Sequence, residues 1–326
     1  MSVRALFRAA TVANAAAPYN SIHLKVFYPA HISGSDQERN TGIVPADAER
    51  APFPIVIFFN GFNCGLEQYQ WLAIQLAERG LVVVTFTWIA ENFPGMVAIT
   101  PGVDLKMVVP SMYGKGPTAS ALLTLLTELE RLQTEGVLAG LLDLNRVILG
   151  GHSAGGKVAI ESANPQFVPQ VVAAFAYGAH TAATVQLGYP ANTILPLPDA
   201  LPLLLIGGTC DGVIANSSHG YGVTWEHPTA PVQRTFQEAI AGGRQDSYLL
   251  LLEGANHFSI ADPDDTTARP FLDFPATQSA AELRHLMVEA IGLFIQAHVQ
   301  HQSTALAALH QRLASKHPAI AAFECK

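Results

Sequence analysis

One stretch constrains this chain more than any other: Val147 to Lys157, which reads VILGGHSAGGK. Four residues of strand character, Val147 to Gly150, run into Gly151-His152-Ser153-Ala154-Gly155, and Gly156 and Lys157 begin a small-residue helix. G-x-S-x-G between a strand and a helix is a sharp turn that lifts a serine hydroxyl clear of the backbone. Gly151 and Gly155 carry no β-carbon to collide in so tight a bend.

The segments around this turn have the pattern that a parallel sheet needs. Ile55 to Phe59 (IVIFF), Leu81 to Trp88 (LVVVTFTW), Val171 to Tyr177 (VVAAFAY), Leu201 to Ile206 (LPLLLI) and Ser247 to Leu252 are short, almost unbroken apolar runs. Runs of that kind suit strands covered on both faces. Between them lie helix-period segments: Leu66 to Arg79, Thr118 to Leu132, the helix after Ser153 to about Ser162, and Val232 to Ala241. Alternation of strand and helix predicts an α/β fold, with a mostly parallel central sheet flanked by helices.

At the N-terminus, Leu6 to Ala17 and Ser21 to Tyr28 read as the first two strands, with Pro18-Tyr19-Asn20 as their turn; Arg4, Arg8 and the alanines only loosely suggest a transit peptide. Pro29 to Pro54 reads as a surface loop. A periodic helix is expected at Ala280 to His298, and a shorter one at Thr304 to Leu313 makes residues 301–326 a helical extension. Two irregular insertions, 89–116 and 180–200, are candidates for a pocket wall or lid. The whole chain, 1–326, reads as one domain.

Composition narrows the partners. With 49% hydrophobic and 13% charged residues the chain has apolar material for a large core. A net charge of −8 with scattered Lys and Arg argues against nucleic acid, and no apolar run is long enough for a membrane span. Cys64, Cys210 and Cys325 form no framework, as suits a reducing, cytoplasmic setting.

A serine hydroxyl needs a base, and that imidazole needs an acid to hold its tautomer. In a parallel sheet, reacting groups gather beyond the carboxyl ends of strands. His257, beyond Ser247–Leu252, and Asp211, on the turn after Leu201–Ile206, satisfy that rule. Asp262, Asp264 and Asp265 follow His257 too closely and read as a solvated loop or helix cap. Gly208-Thr209-Cys210-Asp211-Gly212 also fits a cysteine elbow, but Val213 to Gly222 offers no apolar period for a supporting helix. His152 reads as a packed core histidine, and His180, His219 and His227 have no zinc-ligand spacing. Neither a metal nor a cofactor is expected.

From about Ile22 to His298 the chain resembles an α/β-hydrolase, most closely the chlorophyllase, platelet-activating-factor acetylhydrolase and dienelactone-hydrolase-like esterases. The likeness rests on N-G-F at Asn60 to Phe62, G-H-S-A-G-G-K at Gly151 to Lys157, the chain order Ser153, Asp211, His257, and the acids after His257. It departs at Asn60-Gly61, where the family usually has His-Gly, and at Ala154, where plant chlorophyllases usually have arginine. The resemblance implies a Ser153–His257–Asp211 triad, with an oxyanion hole from the amides of Phe62 and Ala154 and supporting turns at Gly61, Gly151 and Gly155. It implies cleavage of a small hydrophobic carboxylic ester, the phytyl ester of chlorophyll among the candidates. A short-chain esterase or lipase, an acyltransferase and a non-catalytic ligand-binding protein on the same scaffold are the other readings.

Overall fold

The computed structural model describes residues 2–13, 15–93, 95–263, 272–314 and 316–326. In chain order its strands and α-helices are β1 (Ser2–Thr11), β2 (Ser21–Ala30), α1 (Asp36–Thr41), β3 (Phe53–Phe59), α2 (Gln70–Glu78), β4 (Val82–Phe93), β5 (Met96–Ile99) and α3 (Leu122–Leu132). There follow β6 (Leu142–His152), α4 (Ala154–Ser162), β7 (Val171–Tyr177), β8 (Leu203–Gly208), α5 (Gly212–Asn216), α6 (Ala230–Arg234), β9 (Ser247–Leu252), α7 (Ala280–His298), α8 (Ser303–Leu313) and β10 (Ile320–Cys325). The ten-stranded sheet runs β1-β2-β4-β3-β6-β7-β8-β9-β10, with β5 paired to β4. From β4 through β9 in that order every pairing is parallel, while β1, β2, β5 and β10 join antiparallel. The fold is therefore α/β, with a mostly parallel sheet.

The apolar runs form central strands because both of their faces are covered. All seven residues of β3 are buried. Ile55, Ile57 and Phe59 face a core shared with α3 and α4, whereas Val56 and Phe58 face the core built on α2, α7 and α8. This alternation is the two-residue period of a strand expressed in packing. Helix α7 puts Leu283, Leu286, Met287, Ala290, Ile291, Phe294 and Ile295 into the second core. Each of the Leu, Ile, Phe and Met side chains among them contributes about 1.5–3 kcal/mol relative to exposure, and Ala290 less.

Several expected elements differ in extent or kind. β1 spans Ser2–Thr11 rather than 6–17, because ten cross-strand partners from Ser2 to Thr11 match Ala30 to Ser21. The 29–54 loop contains α1 and a 3-10 turn at Ala48–Arg50, and the helix expected from Leu66 opens as a 3-10 turn before α2. Helix α3 begins at Leu122, and the helix expected at 232–241 is α6 followed by a π turn, Thr235–Ala239. The start of the irregular 89–116 segment is a hairpin: β4 continues through Ile89 and pairs with β5, with Gly95 at φ 79° in the turn between them.

Residues 301–326 are not wholly helical. After α8 the chain adds β10 to the edge of β9, Phe323 opposite Leu250. Finally, α5 does follow the Cys210 turn, contrary to the expectation that no helix would. It is a single short helix, capped by the side chain of Asp211. Among the described residues no helix is long and apolar enough to cross a membrane.

Candidate active site

The residues singled out in the sequence emerge at one edge of the sheet. Ser153 follows β6 directly, Asp211 and His257 lie on turns beyond β8 and β9, and Phe62 lies on the turn beyond β3. Since β3, β6, β7, β8 and β9 run parallel, these are all carboxyl ends.

Ser153 has φ 55° and ψ −126°, a left-handed backbone that residues with side chains rarely adopt. Such a conformation costs about 1–3 kcal/mol and persists only where its surroundings enforce it. Here the Ser153 amide donates to the Tyr177 carbonyl at 3.0 Å, and the Ser153 carbonyl accepts from Lys157 at 2.9 Å. Packing closes the remaining room: a β-carbon on Gly151 would lie 2.5 Å from the Gly155 carbonyl, and one on Gly155 would run into the Phe59 and Asn60 carbonyls. The elbow is thus pressed against the exit of β3 at Phe59 and Asn60, with Gly61 against the His152 ring. Ala154 opens α4, so its amide is among the first of that helix.

Asp211 and His257 are buried and bonded to each other. His257 Nδ1 lies 2.8 Å from Asp211 Oδ2, while Asp211 Oδ1 accepts the Ile214 amide at 2.9 Å. One carboxylate therefore caps its own turn and also orients the imidazole. Gly178, at φ 59° after β7, allows this: a β-carbon there would stand 3.1 Å from His257 Nδ1.

His152 is buried and bonded through both ring nitrogens. Nε2 lies 2.9 Å from the His257 carbonyl and Nδ1 2.9 Å from the Tyr69 hydroxyl, which also accepts the Gly61 amide at 3.0 Å. A carbonyl can only accept, so Nε2 carries the proton and Tyr69 donates to Nδ1. Burial, with His257 next to it, holds His152 well below the usual imidazole range, so the ring is neutral. The chain of bonds joins the turn after β3 to the backbone of His257. Asn60 steadies the same turn by donating from Nδ2 to the Gly61 and Cys64 carbonyls, both at 2.9 Å.

Other expected candidates lie elsewhere. Asp262 is exposed and paired with Arg284 at 3.3 Å, and Asp264 and Asp265 fall outside the described residues. His180, beyond β7, is buried, and its pKa is pushed down to about 3, first by burial and then by Lys157 and His257. Its ring meets Tyr221 edge-on at 5.0 Å, with Trp225 at 6.3 Å. Tyr113 links the two insertions, its hydroxyl lying 3.2 Å from Glu161 Oε1 and 3.1 Å from the Pro196 carbonyl. A surface cavity of about 550 Å³ lined by Asn192, Trp225, His227 and Arg234 opens beside the 180–200 segment and includes none of Ser153, Asp211 and His257. Among the described residues, no three His, Cys, Asp or Glu side chains are grouped to hold a metal.

Sequence reasoning does not single out Tyr69, Gly178 or Asp273, the last of which accepts the Gly212 and Phe258 amides, next to Asp211 and His257. Tyr69 falls on the buried face of its helix, where it reads as packing. Asp273 lies in a stretch without period, and only tertiary contact gives it meaning. Compared with known proteins, the chain matches no family model and no curated protein sequence.

Proposed function

We propose that this chain is a serine hydrolase of the α/β-hydrolase type that cleaves a hydrophobic carboxylic ester. The observation that carries the reading is the strained backbone of Ser153, a non-glycine residue at φ 55° in a strand–turn–helix elbow, directly after His152, whose ring bonds the His257 carbonyl of the buried Asp211–His257 pair. Backbone strain at a side chain that could be nucleophilic points to a use for it. In this reading Ser153 attacks the ester carbonyl and His257 takes its proton. Asp211 holds the imidazole, and the amides of Phe62 and Ala154 receive the oxyanion. His257 then returns the proton to the departing alcohol, and water releases the acyl group. No cofactor is needed.

The resemblance to chlorophyllases makes the phytyl ester of chlorophyll the specific substrate to try. Exposed Ile89, Met96 and Val97 on the hairpin of the 89–116 segment favour an apolar ester over a charged one. Short-chain esters and transfer of the acyl group to an alcohol use the same acyl-enzyme. Cys64, Cys210 and Cys325 form no disulfide, which fits the cytoplasm.

The test is labelling by a fluorophosphonate probe, alongside turnover of p-nitrophenyl butyrate and of chlorophyll a, in the native protein and in Ser153→Ala. Native labelling, lost in Ser153→Ala with a rate drop on the order of 10⁴-fold or more, is the expected result. A native protein that neither reacts with the probe nor turns over an ester is a binding protein, and the reading fails. Release of chlorophyllide separates a chlorophyllase from a general esterase.

A further inference from the structure

We propose that Asp273 is a positioning residue of this site, clasping the turn that carries Asp211 to the turn that carries His257; the inference rests on the reading of those two residues as acid and base. Its two carboxylate oxygens reach different turns. Oδ1 accepts the Gly212 amide at 2.7 Å, and Oδ2 accepts the Phe258 amide at 3.2 Å. Gly212 and Phe258 are the residues immediately after Asp211 and His257. A single side chain therefore sets the spacing between the two backbones whose side chains must stay 2.8 Å apart.

The segment around Asp273 is pinned in the same way. Asn216 Nδ2, at the end of α5, donates to the Leu272 carbonyl at 2.7 Å, and Asn256 Nδ2, just before His257, donates to the Phe274 carbonyl at 2.8 Å. Gly212 is needed for the approach, since a β-carbon there would lie 2.7 Å from the Asp273 carbonyl carbon. Asn256 is held in turn by the Tyr177 hydroxyl, which donates to its carbonyl. Leu272 to Phe274 thus forms a bridge whose backbone accepts from Asn216 at the end of α5 and from Asn256 on the His257 turn, while the Asp273 carboxylate bonds once to each turn.

Electrostatics give the bridge a second role. The ionisable groups around Asp273 are Asp211 and His257 on the joined turns and Tyr177 on β7, with Cys210 beside Asp211. Burial, and then the charge of Asp211, push the Asp273 pKa up to about 6, against the pull of His257 and of the Gly212 and Phe258 amides. At neutral pH a second negative charge stands beside the His257–Asp211 pair and favours the imidazolium that forms during ester attack. As pH falls through that range the charge is lost, and with it part of the hold on His257.

The experiment compares native protein and Asp273→Asn by the pH profiles of kcat and kcat/KM on p-nitrophenyl butyrate, and by NMR titration of the His257 imidazole. Asparagine keeps the shape but removes the charge and sets an N–H₂ against one amide donor. The expected result is a fall in kcat of about tenfold or more with KM within about threefold. The acid limb and the His257 titration should both move to lower pH by about 0.5–1 unit. A folded Asp273→Asn with unchanged kcat and an unmoved His257 titration overturns the proposal. Should that variant not fold, the double variant Asn216→Ala with Asn256→Ala keeps the carboxylate and loosens the bridge; kcat must then fall by about threefold or more, and an unchanged rate overturns the proposal. If native protein shows no turnover, the triad reading fails by itself, and the NMR titration still decides whether Asp273 acts on His257.

Discussion

Replacing Tyr69 by phenylalanine removes one oxygen from the centre of the site and little else. The ring stays against Phe58, 4.8 Å between centroids, so no cavity opens. What is lost is the acceptor for the Gly61 amide at 3.0 Å and the donor to His152 Nδ1 at 2.9 Å. Tyr69 and His152 are both 1% exposed, and Gly61 is buried, so water cannot readily take the missing place. Two buried polar groups left without partners cost about 1–3 kcal/mol each, and some relaxation brings the sum to about 2–4 kcal/mol. At about 2.1 cal/mol/K per residue, this chain unfolds with an entropy near 0.7 kcal/mol/K, so Tm should drop by about 3–6 °C. Tyr28→Phe is the control: its hydroxyl donates to the Val44 carbonyl at 2.9 Å, and about 1 kcal/mol predicts a drop of about 1–2 °C. Activity should respond more than stability, because Gly61 precedes the proposed oxyanion donor Phe62; a fall in kcat of about 10-fold to 100-fold is expected. Thermal unfolding followed by circular dichroism and ester kinetics on the same preparations measure both. A Tyr69→Phe protein whose Tm and kcat match native would show that the bonds from Gly61 to His257 hold nothing in place.

Two further outcomes follow from buried strain and buried charge. Ser153→Gly relieves the backbone at φ 55°, so it should unfold at a higher temperature than Ser153→Ala, by the equivalent of about 1 kcal/mol, while both are inactive; equal melting temperatures would mean that the elbow stores no strain. Glu161 on α4 is held above the ordinary carboxyl range by burial, so the stability it lends is full below its unfolded pKa and is lost as pH rises through its folded value. Glu161→Gln should therefore gain stability relative to native protein as pH is raised from about 4 to about 8, and a difference in Tm that is flat with pH would contradict this.

The parts of the fold legible in the sequence are those whose cause is local or periodic. Helix α7 runs over Ala280–His298 because its apolar face repeats every three to four residues through four turns and more, and nothing in it breaks the pattern. The central strands stand out because burial on both faces demands unbroken Val, Ile, Leu and Phe. β10 escaped notice since half of Ile320–Cys325 is small or polar and its stability comes from pairing with β9, some seventy residues earlier in the chain. The β4–β5 hairpin was hidden by Gly95, which reads as a break and serves as a turn. Asp211, by contrast, stands out by its place after a strand, although its sequence setting is equally that of a capping aspartate. In the structure it caps α5 through Oδ1 and bonds His257 through Oδ2.

Register is what places the proposed site, and three hydrogen-bonded ties are what hold it. Phe59 pairs with Gly151, His152 with Tyr177, and Ile206 with Leu250, so the turns after β3, β6, β8 and β9 start within a residue or two of one level. A slip of one residue in any pairing would turn its strand's side chains to the opposite faces and disrupt both cores, so the cores enforce the level. The turns themselves have no such enforcement, because they lie beyond the last strand residues. Tyr69 and His152 tie the first turn to the last; Asp211 ties the third to the last through the imidazole; Asp273 ties the same two through their backbones. Substitutions in these ties should thus lower kcat by displacing reacting groups and leave substrate affinity almost untouched, whereas substitutions in the 89–116 and 180–200 segments should alter KM and the choice of ester.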